Sequence, residues 1–164
     1  MNLEKLNAVL NEMKDKLINI EQVRDRRIYL PCESQNAVDV CRFLFEDLGL
    51  RFVIATGVDN DNCFEILYHF ANDETGHIVT VKAIICDREN PSIESITPFI
   101  PGAEWIEREI HDILGIEIKN HPNMLRLILH DDWPEGVYPL RKARPEVSEG
   151  TVTSIKQCTN PFLR

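Results

Sequence analysis

The sequence has 164 residues, 43% hydrophobic and 27% charged, which is enough apolar content for a buried core in one domain. Its 18 basic and 27 acidic side chains give a formal net charge of −9, excluding a nucleic-acid binder held by phosphate contacts. No apolar run approaches the ~20 residues of a membrane-spanning helix, and the start, MNLEKLNAVLNEMKDKL, lacks the apolar stretch of a signal peptide, so a soluble cytoplasmic domain is expected.

Leu3, Leu6, Leu10, Met13 and Leu17 recur at helical spacing and predict an amphipathic helix over 3–17. A short strand is expected over 27–30. Ser34 then reads as the N-cap of a second helix with the apolar face Ala37, Val40, Cys41, Leu44, Phe45 and Leu48, closed by Gly49. Three strand-like runs follow, at 51–56, 63–70 and 77–85. The turn-forming stretches GVDNDN and ANDETG separate them, and together they predict an antiparallel meander. Residues 88–103 carry Pro91, Pro98 and Pro101, with one helical turn expected at 92–96. A strong helix over 103–114, AEWIEREIHDIL, is stopped by Gly115 and followed by an extended GIEI. From 119 to 142 the sequence is irregular except for MLRLIL, which reads as a short strand. The fold class is thus α+β, with two to three helices packed on a mostly antiparallel sheet.

Charge divides the chain into a domain at 1–137 and an extended basic C-terminal arm at 138–164. The first part holds 13 basic and 25 acidic residues, net −12, and the second 5 basic and 2 acidic, net +3. Pro139, Pro145 and Pro161 deny the arm a regular period. Composition leaves two readings open for it, a disordered terminus or a segment ordered by a partner. The five cysteines, Cys32, Cys41, Cys63, Cys86 and Cys158, contain no C-x-x-C pair and read as ordinary thiols rather than ligands of zinc or an iron–sulfur cluster.

On a helical wheel of AEWIEREIHDIL with Trp105 at the origin, Glu109 falls about 40° away, between Trp105 and Ile113 and inside the apolar arc. Arg108 is expected to pair with Asp112 four residues on. Three readings are open for Glu109: a pair with an arginine such as Arg126 or Arg141, a catalytic carboxylate, or a polar contact at a subunit interface. His111, His121 and His130, with Asp131 and Asp132, raise a metal-dependent hydrolase as an alternative, but their spacing does not place two ligands on one helix face. Neither a nucleophile elbow nor a glycine-rich phosphate loop occurs. A further alternative is a solitary module that binds an acidic partner through its basic arm.

The blocks ERE-I-HD-I-LGI, HP, LRLIL-x-D-D-W-P and PLRK, in this order and spacing between Glu107 and Lys142, resemble the signature of the thirty-kilodalton subunit family of respiratory complex I, the C subunit of NADH dehydrogenase. That family includes subunits of energy-converting [NiFe] hydrogenases and formate hydrogenlyases. The matching residues are Glu107, Arg108, Glu109, Asp112, Gly115, His121, Pro122, Arg126, Asp132, Trp133, Pro139, Leu140, Arg141 and Lys142, and the likeness covers about residues 30–145. His111 stands where quinone-linked members carry an aromatic residue, and LHDDWPEGVYPLRK is similar to the hydrogenase-type branch. The resemblance implies a subunit without catalytic residues or cofactors of its own. It would pack on a large catalytic subunit, of the hydrogenase or complex I forty-nine-kilodalton type, and on an iron–sulfur subunit, with [NiFe] and iron–sulfur clusters or quinone held by those partners. The resemblance implies interface and structural roles for the matching residues. The thirty-kilodalton subunit of an NADH:quinone oxidoreductase is the alternative within the family.

Overall fold

The computed structural model describes residues 11–142. Strands β1 (Glu21–Arg24) and β2 (Arg27–Glu33) form a hairpin. The chain next enters a helical stretch: a 3-10 turn at Ser34–Asn36, helix α1 at Ala37–Arg42, and a wider π turn at Phe43–Asp47. Strands β3 (Arg51–Asp59), β4 (Phe64–Asn72) and β5 (His77–Ile85) make the expected antiparallel meander. The five-stranded sheet has the order β1-β2-β5-β4-β3, and only β2 and β5 run parallel. That pairing follows from the connection. The helical stretch carries the chain from β2 across one face of the sheet to its far edge, and two hairpins bring it back beside β2.

Alternation along the strands decides which face is covered. Ile28, Leu30 and Cys32 on β2, Phe64, Ile66, Tyr68 and Phe70 on β4, and Val79, Val81 and Ala83 on β5 are buried together with Ala37, Val40, Cys41 and Leu44 of the first helical stretch. Helix α2 (Glu104–Leu114) adds Ile110 and Leu114 to the same core. It lies close to the sheet because β3 has Gly57 beneath it. A Cβ there would sit 2.6 Å from Leu114 Cδ1, so a side chain at this position would require that methyl to move. In the β4–β5 turn the Asn72 side chain accepts hydrogen bonds from the backbone N–H of Glu74 and Thr75, the Asx geometry that ANDETG implies.

Several boundaries depart from the sequence reading. Strand β1 was not expected. Ser34 opens a 3-10 turn instead of capping with its side chain, although the helical stretch ends before Gly49 as anticipated. The expected helical turn at 92–96 is strand β6 (Ser92–Glu94), paired in parallel with β7 (Glu117–Lys119). A partner strand 25 residues away overrides the local signal. MLRLIL is not a strand, because its backbone groups bond to side chains of α2. Of the helix expected over 3–17, residues 3–10 lie outside the described residues. Asn11–Lys16 is 3-10 helix, with Met13 and Leu17 packed on the core. Of the expected arm, 138–142 are described and 143–164 are not.

Candidate docking surface

Helix α2 presents a carboxylate to the core, and it is Glu107. Its Oε1 accepts a hydrogen bond from Ile96 N (2.8 Å), and its Oε2 accepts from Ser95 Oγ and Thr97 Oγ1 (2.6 Å each). The residue is fully buried. Three donors on one loop therefore supply what water would, and they tie residues 95–97 to the helix. His121 Nε2 lies 3.9 Å from Oε2, but this nitrogen donates to the Glu104 carbonyl while Nδ1 accepts from Asn123 N. A ring nitrogen that accepts carries no proton, so His121 is neutral and Glu107 is held by dipoles.

Arg108 and Asp112 lie one step around the helix, both buried, but they do not pair with each other. Arg108 donates Nε–H to the Leu125 carbonyl (2.7 Å) and Nη2–H to that of Arg126, with Glu104 Oε1 at 3.7 Å. Asp112 Oδ2 accepts from Leu127 N and Ile128 N (2.8 Å each) and from Leu129 N (3.4 Å). One cation therefore takes carbonyls and one anion takes N–H groups of the same run, so MLRLIL is held without a strand partner.

The two arginines expected beside Glu109 are also committed to carbonyls. Arg126 Nη1 donates to His130, Asp131 and Trp133 oxygens. Arg141 donates to Leu114 O (2.7 Å) and Gly115 O (3.2 Å), the end of α2. Its guanidinium lies over the rings of Phe64 and Tyr138, and partial burial draws its pKa below the usual guanidinium value. Glu109 faces away from the sheet, half-buried, and so does Trp105, which is 68% exposed. The wheel misplaced the apolar arc: the sheet-facing line runs through Ala103, Glu107, Ile110 and Leu114, nearly opposite Trp105. Further along, Leu140 N donates to Ile113 O (3.1 Å), and Lys142 N donates to Asp59 Oδ2 (2.9 Å), whose other oxygen takes Arg88. Trp133 Nε1–H donates to Val137 O, bracing the turn after Asp132. Asp132 itself accepts from His130, while Pro122 and Pro139 are exposed in the connecting loops.

The result is a backbone fixed by its polar groups and an outer surface left apolar. Leu125 (65% exposed), Leu127, Ile128 (52%), Val137 and Leu140 (59%) point outward from this segment. Apolar side chains held outward on an anchored backbone make this segment the candidate docking surface of the described residues. Asp59, Ser95, Thr97 and Trp105 escaped the sequence reading as members of this arrangement. Asp59 is 83 residues from Lys142, and GVDNDN signals only a turn.

His111 bonds Ile116 O, His121 bonds Glu104 O and His130 bonds Asp132, so the three histidines do not converge. No group of three His, Cys, Asp or Glu residues able to hold a metal occurs among the described residues. Cys32, Cys41 and Cys63 are buried free thiols and Cys86 is half-buried. Burial, then the charge of Glu33, pushes Cys32 up to about 12, while Cys158 lies outside the described residues. Among the described residues no helix is long and apolar enough to cross a membrane.

Fold and surface together define a small α+β scaffold that presents a rigid apolar segment along the side of one helix. The chain belongs to the family of the respiratory-chain NADH dehydrogenase thirty-kilodalton subunit, whose profile matches residues 30–149. It is 35% identical over 162 residues to the C subunit of the NADH-quinone oxidoreductase of Roseiflexus sp. strain RS-1, covering 94% of this chain and 88% of the relative. With the corresponding C subunit of Citrifermentans bemidjiense it shares 36% over 117 residues, 69% of this chain and 71% of that one. Among solved structures it is similar to a chain of the membrane-bound sulfane sulfur reductase, an archaeal respiratory membrane complex. The TM-score is 0.73 at 26% identity, over 84% of this chain and 82% of the other. The trypsin-resistant fragment of Nqo5 shares the fold, with TM-score 0.60 and 20% identity over 73% of this chain and 98% of the fragment.

Proposed function

We propose that this chain is a non-catalytic structural subunit of a membrane-associated redox complex. It would dock through α2 and residues 120–142 on the large catalytic subunit and hold the neighbouring iron–sulfur subunit in register at the cytoplasmic face. The observation that carries this is the outward apolar row from Leu125 to Leu140 on a backbone pinned by Arg108, Asp112, Arg126 and Arg141. An interface of this kind needs no cofactor in this chain. The motif residues act in two ways: Glu107, Arg108, Asp112, His121, Arg126 and Arg141 shape the surface, and Glu109, half-buried beside Trp105, meets the partner. Membership of the thirty-kilodalton family and the likeness to a chain of an archaeal respiratory membrane complex support this reading.

Within that reading we favour the energy-converting [NiFe] hydrogenase or formate hydrogenlyase type, because His111 and LHDDWPEGVYPLRK resemble that branch. The NADH:quinone type is the second reading, favoured by relatives that are C subunits of NADH-quinone oxidoreductases. A tagged chain recovered from native membranes tests both levels. Leu125→Asp with Ile128→Asp, and separately Arg141→Ala, should reduce recovery of the large subunit at least tenfold, since burying one such side chain is worth about 1.5–3 kcal/mol. Unchanged recovery in both variants refutes docking through this surface. Stoichiometric nickel in the recovered complex supports the hydrogenase type. Its absence, with NADH-driven quinone reduction, supports the other.

A further inference from the structure

Between the C-terminal half of α2 and the loop that follows the anchored run lies a cavity of about 460 Å³ whose polar lining the arrangement above does not use up. Asp112 lines it. Its Oδ2 is spent on three backbone N–H groups, while Oδ1 makes no hydrogen bond among the described residues. His111 also lines it. Its Nδ1 donates to the Ile116 carbonyl (2.9 Å), a bond that in the Nδ1–H tautomer leaves Nε2 as an acceptor. Glu135 also lines it and brings a second carboxylate. The one cation in the lining, Arg126, has Nη1 turned onto three carbonyl oxygens. Two carboxylates against one guanidinium leave the cavity negative, and Trp133 and Tyr138 wall it with aromatic rings. Trp133 is fixed by its bond to Val137 O, and Tyr138 is wedged against Gly115.

A negative cavity whose lining includes a carboxylate, an imidazole and two aromatic residues fits a planar cation that offers several N–H donors. We propose that it is the receptor for an arginine side chain of the large subunit. The guanidinium would donate to Asp112 Oδ1 and His111 Nε2 between the two rings, and the apolar row from Leu125 to Leu140 would close around it. This rests on the docking reading and adds to it the chemistry of one contact. It also gives Asp112 two tasks, one oxygen ordering the chain's own loop and the other facing the partner.

The test titrates the full chain with N-acetyl-arginine amide and follows the His111 ring and the Trp133 indole N–H by NMR. N-acetyl-citrulline amide serves as a neutral probe of the same shape. Saturable shifts with the arginine probe that are absent with citrulline, weakened tenfold or more in Asp112→Asn, are the expected result. Equal shifts with both probes, or none, overturn the proposal, and because the wild-type chain carries this arm, a poorly folded variant cannot obscure it. The docking reading is scored separately by recovery of the large subunit with the wild-type chain. Recovery without arginine binding sinks the cavity alone, whereas arginine binding without recovery sinks the docking reading and with it the partner assigned to the cavity.

Discussion

Replacing Gly115 with alanine tests how residues 138–142 are fastened to α2. Gly115 has φ 65° and ψ 31°, a left-handed conformation that costs an alanine about 1 kcal/mol. A Cβ there would lie 2.3 Å from carbons of the Tyr138 ring, more than ~1 Å inside normal carbon contact. The ring must move, and Arg141 stacks on it at 4.5 Å while donating to Leu114 O and Gly115 O. Loss of those two hydrogen bonds and the stacking adds about 2–4 kcal/mol. The local cost is then about 3–5 kcal/mol, a hundredfold or greater shift toward a detached segment. Limited trypsin digestion reads it directly, since detachment frees the backbone at Arg141 and Lys142, otherwise held to Ile113 O through Leu140 N and to Asp59 through Lys142 N, for cleavage. In the Tyr138→Ala background the same substitution should cost only the strain, so the two changes couple by at least 1 kcal/mol. A cleavage rate for Gly115→Ala within twofold of the parent, or effects that simply add, would refute the reasoning.

Glu107→Ala leaves Ile96 N without an acceptor and opens a void, and should lower unfolding free energy by about 3–5 kcal/mol in urea titration; Glu107→Gln, which keeps one oxygen, should cost about 1–2. Comparable losses for the two would show that packing, not acceptor chemistry, fixes this position. Tyr68 OH is buried with no hydrogen-bond partner among the described residues, so Tyr68→Phe should leave stability unchanged or raise it by about 1 kcal/mol; a marked loss would reveal a partner for the hydroxyl. Burial, then the charge of Arg27, lowers the His69 pKa below its usual 6.5. The unfolded chain therefore takes up a proton first, so this residue's effect is absent above about pH 7 and erodes stability as pH falls through 6.5 toward the folded value. Urea midpoints across that range should fall less steeply for His69→Gln than for the parent, and identical slopes would contradict the burial argument.

The amino-acid order by itself determined the meander, the helix ending at Gly115 and the α+β class, because those follow from period, turn chemistry and a left-handed stop encoded within a few residues. It also carried the motif blocks from Glu107 to Lys142 that mark the family. Partner choice was decided only in three dimensions. Glu107 and Glu109 are both glutamates on one helix, and which of them faces the sheet depends on the direction from which β3 meets α2 at Gly57. Arg108, Asp112, Arg126 and Arg141 read as members of ion pairs, yet all four bond backbone groups. In an irregular segment, N–H and C=O groups excluded from a ladder demand charged partners more strongly than one exposed side chain demands another. The same competition turned MLRLIL from an expected strand into an anchored run with Leu125, Leu127 and Ile128 facing outward. The sequence supplied the apolar residues of the surface, and the tertiary fold, by holding their backbone elsewhere, decided that they would be a surface at all.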